Sequence, residues 1–293
     1  MTRQDGNGFV KCDFGHLHWG LNGAAGLLLS DPARGVLLQR RAWWVHHGRT
    51  WALPGGAVEA GESPREAATR EAHEEADIPP ARVRPLAASH VDHGNWRYTT
   101  VLAAPIGPLS ARVKSAESAE LRWVHAGEVA DFRLHRDFAA AWPGLREHLD
   151  RGLVLVVDGA NVVGSRPDGW WRDRRGAAER LRDKLATLSE TGLADPALPG
   201  GGGWSWWPKV VLVVEGKARG VATVPGVEVV EADGEGDDTI VAVAREARAA
   251  GPDDHVVVVT ADRELRSRVE ALGASTFRPR HPPGAPRLPH LVL

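Results

Sequence analysis

The stretch GAVEAGESPREAATREAHEEADI, residues 56–78, places three glutamates on one short predicted helix behind a glycine-containing turn. Glu71, Glu74 and Glu75 are spaced at i, i+3 and i+4, so an α-helix brings them to one face. Their negative charges repel one another unless a cation lies among them. Carboxylate oxygens suit Mg²⁺ and Mn²⁺, which keep open positions for substrate phosphates. The stretch therefore predicts a Mg²⁺ or Mn²⁺ site, and the alternative is a solvated helix face rich in Glu and Arg.

The same stretch resembles the Nudix box, in which a glycine is followed after five residues by Glu and after seven more by Arg-Glu-apolar-x-Glu-Glu-x-Gly-apolar. Eight of the nine defined positions match, and the resemblance extends from about residue 16 to about residue 148. The exception is Asp77, where the family usually has glycine. Glycine at a helix end commonly supplies a left-handed cap, which Asp tolerates better than most other residues. The departure therefore bears on the turn geometry more than on the metal ligands.

The resemblance implies a Nudix α/β/α sandwich with a mixed sheet, and a pyrophosphohydrolase that acts on a nucleoside diphosphate derivative. A bound metal in such enzymes bridges pyrophosphate oxygens and lowers the pKa of the attacking water. The implied metal ligands are Glu71, Glu74, Glu75, Glu59 and the carbonyl of Gly55, with Glu74 and Glu75 also counted as catalytic. Glu62 and Arg70 are expected to orient these carboxylates and to restrain their charge.

Residues outside the box are assigned by their position relative to it. Glu117 lies where some family members place a loop glutamate that acts as general base, and Glu120 is the competing choice. Arg41 ends the strand before the box and is expected to hold a substrate phosphate, unless it is an ordinary surface Arg. Trp96 and Tyr98 are expected to shape a base or ribose pocket, although most tryptophans are core residues. The sequence does not distinguish 8-oxo-dGTP, ADP-ribose, a dinucleotide or a sugar nucleotide as substrate.

Short apolar runs and turn residues predict the remaining elements of the first half. We expect a hairpin of residues 24–29 and 36–38, and further strands at residues 83–91, 97–103 and 120–125. A closing helix is expected over about residues 135–149, interrupted or kinked near Pro143.

A second pattern begins with LVLVVDGAN at residues 153–161, an apolar run that ends in an acid, a glycine and an amide. Similar runs at residues 210–215, 227–231 and 255–260 alternate with helical segments near 171–188, 237–250 and 263–272, which predicts a parallel sheet covered on both faces. Acids follow these strands: Asp158, Glu215, Asp237, Asp238 and Asp262. One such Asp is commonly a helix cap. Five of them, at the strand ends where ligands bind, predict a second site.

The order Asp-Gly-x-Asn, strand-acid, Gly-Asp-Asp-x-Ile and Thr-Ala-Asp resembles the NYN branch of PIN-like nucleases, including YacP-type proteins, across about residues 152–280. Those proteins use an acid cluster to hold Mg²⁺ or Mn²⁺ and to activate water against an RNA phosphodiester. The resemblance implies that the principal, catalytic metal ligands are Asp158, Asp237 and Asp262, with Asp238 as an additional acid. Asn161 would position the loop or the metal waters, and Glu215 would replace the family's more usual Asp.

Three segments of the second half carry weaker signals. The helix beginning near residue 171 is rich in arginine, and Arg172 and Arg175 are expected to grip an RNA backbone. The alternative is a solvated helix paired with its own acids, Asp173, Glu179 and Asp183. Residues 193–208 contain four consecutive glycines and three tryptophans, which predicts a mobile loop. The proline-rich tail from Pro279 predicts an extended strap along the surface.

Bulk properties set the limits of this interpretation. The 293 residues are enough for two domains, which we expect at residues 1–150 and 151–293. A single cysteine excludes an internal disulfide and a cysteine-rich zinc cage, and no leader or membrane-length apolar run is seen, so a cytoplasmic location is expected. The net charge of −2 makes any nucleic-acid site a local patch.

Together these patterns predict a metal-dependent hydrolase that joins a Nudix pyrophosphohydrolase to a PIN-like NYN domain that binds or cleaves RNA. The expected ligands are Mg²⁺ or Mn²⁺, a nucleotide substrate and RNA. The alternative is a regulatory protein that binds a nucleotide or RNA with one or both sites inactive.

Overall fold

The computed structural model describes residues 6–165 and 169–279. The chain divides into two compact units, Met1–Asp150 and Arg151–Leu293. Among the helices of the described ranges, none has the length and apolar content needed to span a bilayer.

The first unit combines a small hairpin, a mixed sheet and two helices. Its strands are β1 (Phe9–Lys11), β2 (Leu17–Trp19), β3 (Ala24–Asp31), β4 (Gly35–Arg41), β5 (Trp51–Ala52), β6 (Gly55–Ala57), β7 (Val83–Asp92), β8 (Arg97–Pro105) and β9 (Ser118–Val124). Its helices are α1 (Pro64–Ala76) and α2 (Arg136–Glu147). The predicted strands and the box helix are therefore confirmed, with ends that differ by a few residues.

Strand β3 lies at the centre of the mixed sheet. It runs parallel to β8 and antiparallel to β4 and β6. On one side of the sheet β7 pairs with β8, and on the other side both β5 and β9 pair with β4. Leu27, Leu28 and Leu29 of β3 are buried on both faces of the sheet. Helix α1 packs against β3 through small side chains: Ala67, Ala68, Ala72 and Ala76 are all buried. The small side chains let the helix approach closely, which brings its glutamates near the strand ends.

Both ends of α1 are defined by local interactions. Ser63 caps the start, because its hydroxyl accepts from the Glu66 N–H while the Glu66 carboxylate accepts from the Ser63 N–H. At the other end Asp77 adopts the left-handed conformation (φ 56°, ψ 35°) that glycine usually supplies. Its carboxylate pairs with Arg112 at 2.6 Å and with Lys114 at 3.2 Å. The helix therefore ends as the motif requires, although the residue differs.

Of the two effects predicted for Pro143, an interruption is wrong, because α2 runs continuously from Arg136 to Glu147. Proline removes one backbone hydrogen bond inside the helix. Phe138, Trp142 and Leu145 are buried on either side of it. This apolar packing holds the two ends of the helix together despite the missing bond.

The second unit contains a parallel sheet between helices. Its strands are β10 (Leu153–Asp158), β11 (Trp204–Trp206), β12 (Lys209–Val214), β13 (Val227–Glu231), β14 (His255–Val259) and β15 (Ser275–Phe277), and its helices are α3 (Gly159–Gly164), α4 (Arg174–Thr191), α5 (Gly236–Ala250) and α6 (Arg263–Glu270). Five strands are parallel in the order β13-β12-β10-β14-β15. The predicted parallel sheet is confirmed, and the carboxyl ends of its strands meet at one edge.

Residues 193–208 do not form the predicted loop without secondary structure. They include a 3₁₀ helix at Gly201–Gly203 and strand β11. Trp206 is fully buried, its indole N–H donates to the Pro199 carbonyl at 2.9 Å, and its backbone pairs with Leu193. Tryptophan buries a large apolar area and satisfies its one polar group in this way. The predicted proline-rich strap beyond Pro279 lies outside the described residues.

Candidate functional site

The three box glutamates lie on one face of α1 but at different depths. Glu75 is 6% exposed, whereas the side chain of Glu74 is 56% exposed and that of Glu71 lies between them. Burial raises the pKa of Glu71, and the charge of Glu74 adds to this effect, although Arg70 opposes it. A carboxylate face that runs from the core to the solvent suits a divalent cation bound from the solvent side.

Glu75 is fixed by two hydrogen bonds from different parts of the sheet. Its carboxylate accepts from the Gln39 side-chain amide at 3.0 Å and from the Gly55 backbone N–H at 2.9 Å. Burial outweighs these bonds and raises the pKa of Glu75 to about 7. A cation bound beside a buried carboxylate favours its ionised form and so offsets the cost of burial.

Arg70 connects the box loop to the helix. Its guanidinium donates to Glu62 at 2.9 and 3.1 Å, to Glu71 at 2.9 Å and to the Ala57 carbonyl at 2.9 Å, and it lies 3.3 Å from Glu74. The hydrogen bonds to Glu62 and Glu71 raise the pKa of Arg70 further above its already high value. Glu62 also accepts from the Glu59 N–H at 3.1 Å. The planar guanidinium thus sets the orientation of carboxylates on both the loop and the helix.

Two glycines at the start of β6 lie close to β3 and to α1. A Cβ on Gly55 would lie 2.5 Å from the Ala25 carbonyl oxygen on β3, so a side chain there would force the backbone apart. A Cβ on Gly56 would meet the carboxylate of Glu71, which would have to move. A larger residue at position 56 would therefore disturb the placement of Glu71.

Arg41 and Tyr98 interact electrostatically with Glu75. Arg41 ends β4, and its guanidinium donates to the His46 carbonyl at 3.1 Å. Burial raises the pKa of Tyr98 to about 12, and the charges of Arg41 and Glu75 act on the same hydroxyl. The charge of Arg41 in turn opposes the rise in the pKa of Glu75.

Trp96 occupies a different place from the predicted base pocket. It is 7% exposed, its indole N–H donates to the Gly20 carbonyl at 3.0 Å, and one ring face stacks on His18 at 3.9 Å. It belongs to a small core with Cys12 and Ala24. A ring with its polar group and its face already engaged has no surface to offer a substrate base, so this prediction is corrected.

The two candidate general bases are separated by strand geometry. Glu120 on β9 pairs with Arg40 on β4, on the sheet face opposite to Gln39, and its carboxylate contacts Arg40 and Arg122. Glu117 lies before β9, is exposed, and accepts through its backbone carbonyl from the Ala42 N–H. Glu117 is therefore next to the end of β4 that carries Arg41, and Glu120 faces away.

Two further residues, one beside Glu75 and one beside the loop after β4, had no role in the motif reasoning. Gln39 is a buried polar side chain at the end of an apolar run, and this break in the pattern is a signal that it has a polar partner. His135, the cap of α2, lies 4.7 Å from His47 between ring centroids, and burial lowers the pKa of both imidazoles. His135 is far from His47 in sequence, so no local spacing could bring the two together.

Asp158 is a buried acid at the carboxyl end of the central strand of the second unit. It ends β10, and one carboxylate oxygen caps α3 by accepting from the Asn161 N–H at 2.9 Å. The other oxygen accepts from the Thr260 hydroxyl at 2.8 Å. Burial raises the pKa of Asp158, and the charges of Asp237 and Glu215 add to the effect. Its orientation is therefore set by two neighbouring parallel strands.

Other predicted residues surround Asp158. Glu215 accepts from the Gly236 N–H at 2.7 Å, Asp262 caps α6 by accepting from the Leu265 N–H at 2.8 Å, and the side-chain oxygen of Asn161 accepts from the Ala261 N–H at 2.9 Å. Burial and then the charge of Asp262 raise the pKa of Asp237. A cleft of about 180 Å³ is lined by these residues: Asp158, Asn161, Glu215, Asp237 and Asp262. Four carboxylates around one small cleft have the donor chemistry that Mg²⁺ and Mn²⁺ need.

Asp238 does not join this cleft. Its carboxylate pairs with Arg268 on α6 at 2.5 Å, and most of the side chain is exposed. Adjacent residues on a helix point about 100° apart, so only one of Asp237 and Asp238 can face the strand ends. The prediction of Asp238 as a metal ligand is corrected for this reason.

Several arginines of the predicted RNA-binding helix pair with acids on or next to the same helix, as the alternative of a solvated helix predicts. Arg175 pairs with Glu179 at 3.2 Å, Arg182 pairs with Asp183 at 2.7 Å, and Arg180 lies 3.8 Å from Asp173. Arg172 is exposed at the end of the 3₁₀ helix Trp170–Arg172. Surface ion pairs of this kind contribute little to stability, so they neither require nor exclude another role for this helix.

The first unit's mixed sheet and carboxylate helix, tied together by an arginine, define a divalent-metal-dependent hydrolase of phosphoanhydrides. Residues 20–145 match the family model described as NUDIX domain. A putative 8-oxo-dGTP diphosphatase 3 of Mycobacterium tuberculosis is 48% identical over 156 residues, which are 50% of this chain and 71% of that protein. The chain belongs to the Nudix family, and the predicted pyrophosphohydrolase class is confirmed.

Two solved structures complete the comparisons. A Nudix hydrolase from M. smegmatis, RenU, is 47% identical, with a TM-score of 0.44, and the match covers 48% of this chain and 94% of that one. Rae1 (YacP) from Bacillus subtilis is 21% identical, with a TM-score of 0.33, and the match covers 43% of this chain and 69% of that one.

Proposed function

We propose that the first unit hydrolyses the phosphoanhydride of a nucleoside polyphosphate derivative, with 8-oxo-dGTP as the first substrate to test. The carboxylate face of Glu71, Glu74 and Glu75, fixed by Arg70 and the Gly55 N–H, carries this proposal. These glutamates would hold Mg²⁺ or Mn²⁺, with Glu59 and the Gly55 carbonyl as further ligands. The name of the mycobacterial relative supports the choice of nucleotide.

The remaining residues would act on the substrate and the water. Arg41 interacts electrostatically with Glu75 and would hold a phosphate, because guanidinium groups bind phosphate oxygens in pairs. Tyr98 would offer its hydroxyl, which burial keeps protonated, as a hydrogen-bond donor. Glu117 would accept the proton of the attacking water from its exposed loop. The metal, when bound, lowers the pKa of that water and neutralises charge on the phosphates.

A substrate panel tests this proposal. The purified chain is incubated with Mg²⁺ or Mn²⁺ and 8-oxo-dGTP, dGTP, ADP-ribose, a dinucleotide or a sugar nucleotide, and the phosphate products are separated. We expect hydrolysis of at least one compound, lost in Glu74→Gln and retained in Glu147→Gln, an exposed glutamate at the end of α2. Binding of a nucleotide without turnover by the parent protein would instead support the regulatory alternative.

The buried carboxyl of Glu75 makes metal binding depend on pH. Its pKa of about 7 in the metal-free protein lies above the ordinary value of 4.5, so the folded state binds more protons than the unfolded state between these values. The metal-free protein should therefore lose stability as pH rises through 7, whereas Mg²⁺ needs the ionised carboxylate. We expect Mg²⁺ to raise Tm more at pH 8 than at pH 6, measured by thermal unfolding with and without Mg²⁺.

Glu75→Gln is the control for this pH dependence, because it removes the titrating group and leaves the histidines in place. In that variant, the rise in Tm caused by Mg²⁺ should differ less between pH 8 and pH 6 than in the parent protein. Equal Mg²⁺ effects at pH 6 and pH 8 in the parent protein would contradict the prediction.

For the second unit we propose a PIN-like NYN domain that binds RNA and cleaves it with Mg²⁺ or Mn²⁺. The convergence of Asp158, Asp237, Asp262 and Glu215 on one cleft at the strand ends supports it. Asp158, Asp237 and Asp262 would hold the metal, Asn161 would position the loop after Asp158, and Arg172 and Arg175 would contact the RNA backbone.

RNA cleavage assays separate the two units. We expect Asp158→Asn to abolish RNA cleavage and to leave nucleotide hydrolysis intact, and Glu74→Gln to do the reverse. Asp253→Asn, an exposed acid before β14, is the matched control. Intact RNA in every condition, with RNA retained in a binding assay, would show a binding domain, and absence of both would overturn the proposal for this unit.

A further inference from the structure

A cluster of one cysteine and three histidines lies outside both carboxylate sites. Cys12, His16, His18 and His93 each offer one ligand atom, and these four atoms all lie within 4.8 Å of one another. The Cys12 sulfur is 3.9 Å from His93 Nδ1. Ligand atoms around a tetrahedral zinc are about 3.5 Å apart, so the four atoms are already close to the spacing of such a site.

Two turns that are hydrogen-bonded to each other supply the cluster. The first joins β1 to β2, where the Cys12 N–H donates to the His16 carbonyl at 2.8 Å. The second joins β7 to β8 and contains His93. Asp13 accepts from the Asn95 N–H at 3.0 Å, and the Asn95 side-chain amide donates to the Lys11 carbonyl at 3.1 Å. These bonds fix the two turns face to face before any ligand binds.

His18 carries the strongest sign that a ligand is needed. Its Nε2 atom is buried and has no hydrogen-bond partner among the described residues. A buried polar atom of this kind costs about 1–3 kcal/mol unless it gains a partner. The ring cannot easily turn away, because it stacks on Trp96 with an interplanar angle of 10°. Cys12 is also buried, and its sulfur contacts the same group of imidazoles.

The donor set identifies the class of ion. One thiolate and three imidazoles suit Zn²⁺, whereas Mg²⁺ and Mn²⁺ prefer oxygen. Four protein ligands fill a tetrahedral site completely, which is the arrangement of a structural zinc and leaves no position for a substrate. We propose that Cys12, His16, His18 and His93 form a structural zinc site in the Nudix domain.

The hairpin itself explains what such a site would do. Strands β1 and β2 are three residues long and form a separate two-stranded sheet, with Phe9, Leu17 and Trp19 exposed. Two-stranded hairpins of this size are marginally stable alone. A zinc ion ties the hairpin to the β7–β8 turn and holds His18 against Trp96, which lies 6.4 Å from Tyr98. The site therefore supports the wall of the active centre that carries Tyr98.

Cobalt substitution tests the proposal on the full chain, because Cys12 is its single cysteine. Purified protein is first analysed for zinc, then exchanged with Co²⁺ in excess Mg²⁺, which occupies the oxygen sites. We expect about one zinc per chain and a thiolate-to-cobalt absorption band. Glu74→Gln should keep this band, since it alters only the carboxylate site.

Variants assign the site to these residues. Cys12→Ser should remove the thiolate band, and His18→Ala should lower the zinc content at least about tenfold, while His125→Ala, an exposed histidine, should retain both. The absence of a thiolate band in the parent protein at saturating Co²⁺, together with a zinc content that Cys12→Ser leaves unchanged, would overturn the proposal. The parent-protein readout does not depend on the folding of any variant.

Discussion

Glu75→Gln is expected to lower kcat/KM for nucleotide hydrolysis by about 10³-fold while the protein stays folded. The substitution removes one negative charge from the metal site, and metal stabilisation of the transition state supplies several kcal/mol. About 4 kcal/mol corresponds to a factor of about 10³. The side-chain oxygen of the new glutamine can still accept from the Gly55 N–H. The Gln39 side-chain oxygen has no partner in the parent protein, and after a flip of its amide this oxygen can accept from the new glutamine's NH₂ group.

The stability of this variant separates a role in catalysis from a role in folding. Glu75 has a raised pKa, so it destabilises the metal-free protein at neutral pH. The variant should therefore have the same or a higher Tm than the parent in Mg²⁺-free buffer at pH 8, although it has lost activity. A lower Tm together with reduced activity would show that Glu75 acts mainly through packing. Steady-state kinetics and thermal unfolding of the same preparations decide the matter.

Arg70→Ala is expected to destabilise the first unit by about 3 kcal/mol, because it leaves Glu62 and Glu71 without the cation that pairs with them. The side chain of Arg70 is largely buried and also holds the Ala57 carbonyl, so the box loop loses its attachment to α1. Activity should fall as well, since Glu71 and Glu74 lose their orientation. Denaturant unfolding and kcat/KM measure the two effects.

Two further variants show whether the charge or the shape of the Arg70 side chain causes these effects. Arg70→Lys keeps the positive charge but cannot reach several acceptors with one planar group, so we expect partial recovery of stability and little recovery of activity. Arg146→Ala, an exposed arginine on α2, should change neither quantity. If Arg70→Lys behaved like the parent in both assays, the geometric role of the guanidinium would be disproved and only its charge would matter.

The sequence was most informative where spacing along one element determines the geometry. The positions of Glu71, Glu74 and Glu75 on one helix face follow from helical periodicity alone, and the strand-end positions of Asp158 and Asp262 follow from the rule for parallel sheets. The motif leaves the turn geometry at Asp77 open, and the ion pairs that accompany its left-handed cap come from a distant segment that holds Arg112 and Lys114.

Features that depend on tertiary contacts could not be predicted from the spacing of residues along the sequence. Trp96 was expected near the substrate, but the N-terminal hairpin covers it with His18. Asp238 was grouped with Asp237, but a helix directs adjacent side chains to different faces, and Arg268 on another helix pairs with it. Residues 193–208 appeared too rich in glycine to be ordered, yet Trp206 supplies enough apolar area to anchor them.

The guanidinium of Arg70 affects how the charge of the box carboxylates is balanced when no metal ion is bound. Until a divalent ion arrives, Arg70 neutralises part of the anionic face internally, so the empty domain avoids most of its self-repulsion. A divalent ion bound by Glu71 and Glu74 would therefore enter a site whose charge is already partly balanced, and its loss would leave Arg70 in place as the counter-ion.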